Sequence, residues 1–152
     1  MAALLFLPGC ALHNQEEVTD SDLPAKAASI RFCLANPTPQ ADYQTMQDMS
    51  GQTVYVSPQA ALTRMDVARI RALHSPRRSM LQVVFSPAGA KRLYALTRQH
   101  AGAHLAVIID GELICAPPIH GPVTDGQLHI VGDFSRKQAE ELAAAVNRQQ
   151  AP

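Results

Sequence analysis

The 152-residue sequence has no surplus of charge of either sign: thirteen Lys and Arg stand against thirteen Asp and Glu. A neutral chain sets up no basic field to attract a phosphate backbone, so nucleic acid is not expected as a partner. The sequence lacks any apolar run near the ~20 residues that cross a bilayer. It has no G-x-S-x-G, no glycine-rich phosphate loop, no Cys-x-x-Cys and no His-Glu-x-x-His. Those absences remove the sequence signatures of serine hydrolases, nucleotide binders and zinc sites. No catalytic residue, no metal and no cofactor are expected. What is there is apolar material, 47% of the residues, enough to bury the core of one compact domain with a short appendage.

The appendage is N-terminal. "MAALLFLPGCALHNQEEV" carries an apolar run that ends at Leu7-Pro8-Gly9-Cys10 and turns polar at once. It resembles a bacterial lipoprotein signal, and the resemblance implies that residues 1–10 are a remnant signal ending in a lipidated Cys10. No lysine or arginine precedes the run, which leads us to expect a start further upstream. Acyl chains on Cys10 would anchor the protein to a membrane, each buried methylene adding about 0.8 kcal/mol. Ala11 after the cysteine, in place of aspartate, implies the outer membrane by the same resemblance. Residues 11–28 are mixed polar with an acidic bias and no period, the composition of a tether. Setting Cys10 aside leaves Cys33 and Cys115, an even pair in an oxidising space. They form either a disulfide or two separately buried thiols, and spacing does not choose between them.

Past the tether, "SIRFCLA" alternates Ile30, Phe32 and Leu34 with other residues and predicts a strand. "NPTPQADYQTMQDMSG" has two prolines and no clean period, which predicts a loop. "QTVYVSP" predicts a short strand closed by Pro58. Thr63 and Asp66 have the spacing of a helix start, with Val67, Ile70 and Leu73 as its apolar stripe, so a short helix is expected before "HSPRR". "MLQVVFS" predicts a central strand. Ser86-Pro87 opens the next helix, Ala90, Leu93, Leu96 and Thr97 line it, and Gly102 stops it. "HLAVIID" and "ELICAP" flank Asp110-Gly111, the favoured pair for a two-residue hairpin turn. A second turn pair, Asp125-Gly126, precedes the strand "QLHIVGD". Ser135 and Gln138 form a capping box with Phe134 as staple, and Ala139, Leu142, Ala143 and Val146 recur at helical spacing. Together these elements predict an α+β domain over residues 29–148: an antiparallel-rich sheet covered by helices on one face.

From residue 81 to 146, the frame of Gly89-Ala90, Thr97, Leu105-Ala106, Asp110-Gly111, Ala116-Pro117, Ile119, Gly126, Ile130, Gly132, Phe134, Ala139 and Leu142 resembles the head subdomain in the first periplasmic domain of SecD. "VYVSPQAALTRMDVARI" extends the likeness to about Val54. The resemblance implies a SecD-head-like fold, a periplasm-facing address in the cell envelope, and a non-enzymatic module that holds translocating polypeptide. SecD also has a membrane-spanning bundle and a base subdomain, which this sequence does not contain. A translocation motor is therefore not expected, and the module's binding surface is what such a chain would inherit.

Candidate chemistry is sparse. The flanks of Asp110 and the glycine after it are explained by turn geometry, so Asp110 reads as a corner and not as a catalytic carboxylate. His100 and His104 are four apart, but Gly102 ends the helix between them and separates the two imidazoles. His120 and His129 are isolated. The functional expectation is a non-enzymatic lipoprotein that binds a periplasmic protein or extended peptide, through an exposed strand edge or an apolar patch. The alternative is an immunity or inhibitor lipoprotein that neutralises an envelope-targeting toxin or enzyme.

Overall fold

The computed structural model describes residues 28–148. The remnant signal with Cys10, and the tether as far as residue 27, lie outside the described residues. Ala28, counted above with the tether, belongs to the domain: it is 2% exposed, and its N–H donates to the Ala145 carbonyl at 3.0 Å.

The elements in chain order are β1 (Ile30–Asn36), β2 (Gln44–Gln47), β3 (Thr53–Thr63), β4 (Val67–His74), β5 (Ser79–Phe85), α1 (Pro87–Gln99), β6 (His104–Ile109), β7 (Glu112–Cys115), β8 (Gln127–Val131) and α2 (Arg136–Asn147). The fold is α+β, and its strand pairs are antiparallel. The strands divide between two sheets, one ordered β2-β3-β1-β6-β7 and the other β4-β5-β8. The expected antiparallel-rich α+β fold is divided in this way because the chain passes from one sheet to the other at three points, from β3 to β4, through α1 from β5 to β6, and from β7 to β8.

Three local expectations differ from the structure. The Thr63/Asp66 capping box forms, but it caps a single 3-10 turn, Arg64–Asp66, after which the chain extends as β4. The apolar residues three apart are explained by a bulge between Val67 and Arg69, which brings Val67 and Ile70 onto the same buried face. Pro58 does not close its strand: β3 runs through it, because the register of β1 against β3 slips between Cys33↔Ala60 and Ala35↔Val56. Such an irregularity tolerates a residue without an N–H. The segment read as a loop contains the four-residue edge strand β2.

The main core joins both sheets to both helices. Phe32 of β1 and Phe85 of β5 meet with ring centroids 5.2 Å apart, and Ile70, Leu81, Val83, Leu93, Val107, Ile130 and Val146 fill the space around them. A second cluster, of Cys33, Ala35, Val54, Val56, Ala106, Ile108 and Leu113, lies on the other face of the five-stranded sheet. All of these are strand residues no more than 3% exposed. Met46 of the edge strand β2 and Ala116, just past β7, pack against this cluster.

Buried polar groups fix the helices. The Asp66 carbonyl accepts from Ser86 N at 2.9 Å and Ser86 Oγ at 3.2 Å, while the Asp66 carboxylate takes Thr63 N and Arg92 Nη1, each at 2.9 Å. Within α1, Thr97 Oγ1 donates to Leu93 O at 2.8 Å and accepts from Val123 N at 2.9 Å, tying the loop before β8 to the helix. At the far end of α2, the Asn147 side chain accepts from Ile70 N at 2.9 Å and donates to Ile70 O at 2.8 Å. Its amide takes the place of a neighbouring strand residue for β4.

Candidate binding groove

The expected turn residues lie at chain reversals. Asp110 and Gly111 have φ of +51° and +83° and join β6 to β7. Asp110 is exposed; its Oδ1 accepts from Ser29 N at 2.9 Å and Ser29 Oγ at 3.3 Å, and its own N–H donates to Ser29 O at 3.1 Å. The carboxylate is thus spent on holding the hairpin tip to the start of β1. Asp125 Oδ1 accepts from Gln127 N at 3.1 Å, and Gly126 (φ +68°) lies buried against Ala90.

The two described cysteines are free thiols, so the disulfide left open by the sequence is not formed. Cys33 pairs with Ala106 and Cys115 with Val107. Neighbouring residues of β6 point to opposite faces, and the two thiols accordingly pack into different clusters. Burial pushes the Cys33 thiol up, with Arg31 opposing, and pushes Cys115 up to about 12, with the Asp48 charge adding to the effect.

The histidines do not converge. His100 is the C-cap of α1, His104 Nδ1 is hydrogen-bonded to Ala116 O at 2.8 Å, and His120 and His129 are exposed. Among the described residues, no three His, Cys, Asp or Glu side chains are grouped to hold a metal ion. One polar cluster escaped the sequence reading because its members lie far apart in the chain. His74 Nδ1 is 2.9 Å from Ser79 Oγ, and His74 Nε2 is 3.1 Å from Glu140 Oε1. Ser79 is 6% exposed, and the trio straps α2 to the β4–β5 hairpin.

One concave feature among the described residues is an open groove of about 1000 Å³ between α2 and the β6–β7 hairpin. Its floor is apolar, formed by Ala28, Ile109, Ile114, Phe134, Leu142 and Ala145, and Met49 overhangs one side. Its rim is charged: Asp110 and Glu112 on the hairpin, Lys137, Glu140, Glu141 and Arg148 along α2. Four carboxylates against two cations leave the rim net acidic. Lys137 pairs with Glu141 at 3.8 Å and Arg136 with Glu140 at 3.6 Å, both one turn apart along the exposed side of α2. This side went unread in the sequence, where only the buried stripe has a period. An apolar trough with charged lips suits an extended or partly folded chain, because apolar side chains enter while the backbone stays near water.

An exposed strand edge, the other expected means of binding, is blocked at β4. Asn147 occupies Ile70, and Arg64 Nη1 donates to Val67 O at 2.8 Å. Among the described residues, no helix is long and apolar enough to cross a membrane.

Comparisons with known proteins agree with this architecture. The family described as SecDF, P1 head subdomain, matches residues 40–149. The protein translocase subunit SecDF of Thermus thermophilus is 39% identical over 83 residues, which are 54% of this chain and 11% of that protein. SecD of Acidaminococcus fermentans is 32% identical over 98 residues, 64% of this chain and 22% of that protein. The chain therefore corresponds to a small part of these relatives' length. A solved structure of SecDF, described as a membrane component that enhances protein export, superposes with a TM-score of 0.68 at 24% identity, covering 93% of this chain and 71% of that one. A crystal structure of SecDF in a super-membrane-facing form gives 0.66 over 80% of this chain. The family match begins just ahead of β2 and runs to the end of α2, and the chain belongs to the SecDF P1 head subdomain family.

Proposed function

We propose that this protein is a non-enzymatic lipoprotein of the cell envelope, anchored through Cys10, whose head domain holds a protein or extended peptide in the groove beside α2. The observation that carries the reading is the groove itself, an open trough of about 1000 Å³ with an apolar floor. Its kinship with translocase subunits supports a client in an extended state. Binding needs no cofactor and no chemistry, only apolar burial of roughly 25 cal/mol per Å², offset by the ordering of the client.

The test uses the full chain and a permanently unfolded, reduced and alkylated protein as client. Ala144 is exposed and lines the groove, so Ala144→Arg fills the trough without touching the core. Client binding should fall about tenfold or more, roughly 1.4 kcal/mol, with far-UV circular dichroism unchanged. Binding that ignores Ala144→Arg would end the groove reading. The anchor is tested separately, since Cys10→Ser should release the protein from the membrane fraction.

A further inference from the structure

The neutrality of the whole chain conceals a segregation of charge. Between Asp66 and Asp110 there is no acidic residue, while Arg69, Arg71, Arg77 and Arg78 fall within ten positions of that stretch. The fold gathers these four around one surface. The inner face of the β4-β5-β8 sheet is covered by the core, but the outer face is not. Its central-strand residues Met80, Gln82 and Val84 are only half-buried, and Leu73 and Val131 are 36% and 44% exposed.

Register fixes the pattern on that face. Leu73, Met80 and Val131 stand side by side across the three strands, forming an aliphatic strip about 10 Å long at a strand spacing of ~4.8 Å. The next row is Arg71, Gln82 and His129, and the one beyond is Arg69, Val84 and Gln127. On the other side of the strip, the β4–β5 turn carries exposed Arg77 and Arg78. Among the described residues none of the four arginines is in an ion pair. Asp125 and Asp133 flank β8, beyond the ends of the strand.

We propose that this outer sheet face is a docking surface for an acidic segment of a partner protein, its aliphatic side chains laid on the Leu73–Met80–Val131 strip and its carboxylates reaching the arginines on either side. Charge complementarity names the occupant. Guanidinium groups bind carboxylates with two parallel hydrogen bonds, and a cation on each side of an apolar strip orients an anionic chain along it. The surface lies on a different sheet from the groove and does not depend on the groove being a client site. A patch this small gives a weak, transient contact governed by salt.

The experiment titrates the full-length protein with a short peptide of glutamate and leucine, and with its lysine-for-glutamate counterpart, following backbone amide shifts by NMR. The acidic peptide should move the amides around Leu73, Met80 and Val131, and the lysine peptide should not. Arg69→Glu combined with Arg71→Glu should weaken binding about tenfold or more at low salt. Both positions are exposed, so the fold is retained, which the dispersion of the remaining amides verifies. Equal response to both peptides, or binding indifferent to the double variant, would overturn the proposal. So would arginine-dependent binding to vesicles rich in phosphatidylglycerol without a response to the acidic peptide, which would make the face a membrane contact. Ala144→Arg should leave this peptide's binding intact, so failure of the groove and failure of this face are told apart.

Discussion

Gly89 tests how α1 is seated. It is the third residue of the helix, its N–H donates to Ser86 Oγ at 3.0 Å, and a Cβ added to it would lie 2.1 Å from the Asp66 carbonyl oxygen and 2.9 Å from that carbonyl carbon. Both partners are backbone, so no rotamer change relieves the contact. Roughly 1 Å of separation is needed, and that movement strains the two bonds from Ser86 to the Asp66 carbonyl. Helix propensity alone predicts that Gly89→Ala stabilises by up to about 1 kcal/mol. Overpacking a tight contact costs roughly 1–3 kcal/mol, and two weakened hydrogen bonds lose about 1 kcal/mol each. The net expectation is a loss of about 2–4 kcal/mol, or a melting temperature lower by about 8–16 °C for a domain of this size. The assay is denaturant and thermal unfolding of the full chain, followed by far-UV circular dichroism. Ala95→Gly, at an exposed position of the same helix, should lose only about 1 kcal/mol by propensity. If Gly89→Ala unfolds at the same or higher denaturant concentration than the parent, the close seating of α1 on Asp66 is refuted.

Three further outcomes follow from buried and partly buried polar groups. Thr97→Val should destabilise by about 1–3 kcal/mol, because it leaves the Val123 N–H without its acceptor; native-state hydrogen exchange at Val123 should quicken, while Thr97→Ser retains most of the protection. In a Cys10→Ser background, the buried Cys33 thiol should resist a chromogenic disulfide reagent at pH 8 until the domain is unfolded, and rapid labelling of both described thiols in the native protein would contradict its burial. The Cys115 thiol is raised in the fold from 9.0 to about 12, so above pH 9 the unfolded chain releases a proton that the native state keeps. Stability should therefore fall as pH rises from about 9 toward 12, and Cys115→Ala should flatten that slope.

Much of the fold was legible, for local reasons. Ser86-Pro87 begins α1 and the Ser135/Gln138 box begins α2, because a cap needs only residues within one turn of itself. The segment after Thr63 was not legible. A capping box and apolar residues three apart have the period of a helix, and only the bulge against β5 makes Val67 and Ile70 share a strand face. Pro58 misled for the same reason, since its tolerance depends on a slip in the pairing with β1. The groove was partly legible: its apolar floor follows from the periodic residues, but its acidic rim joins α2 to a hairpin some thirty positions earlier in the chain. Arg77-Arg78 stand out in the sequence as a small basic corner, but their grouping with Arg69 and Arg71 on one sheet face depends on the strand register.

By itself, then, the sequence determined most of the strands, the starts of both helices and the reversal at Asp110-Gly111, each a matter of backbone preference within a few residues. Tertiary structure alone decided that the strands form two sheets, that Cys33 and Cys115 face different clusters, and that Asn147 seals the edge of β4. It also decided that one sheet face stays bare and arginine-rich. These outcomes depend on which distant segments pair and in what register, and a one-residue change of register would turn every side chain of a strand to the opposite face.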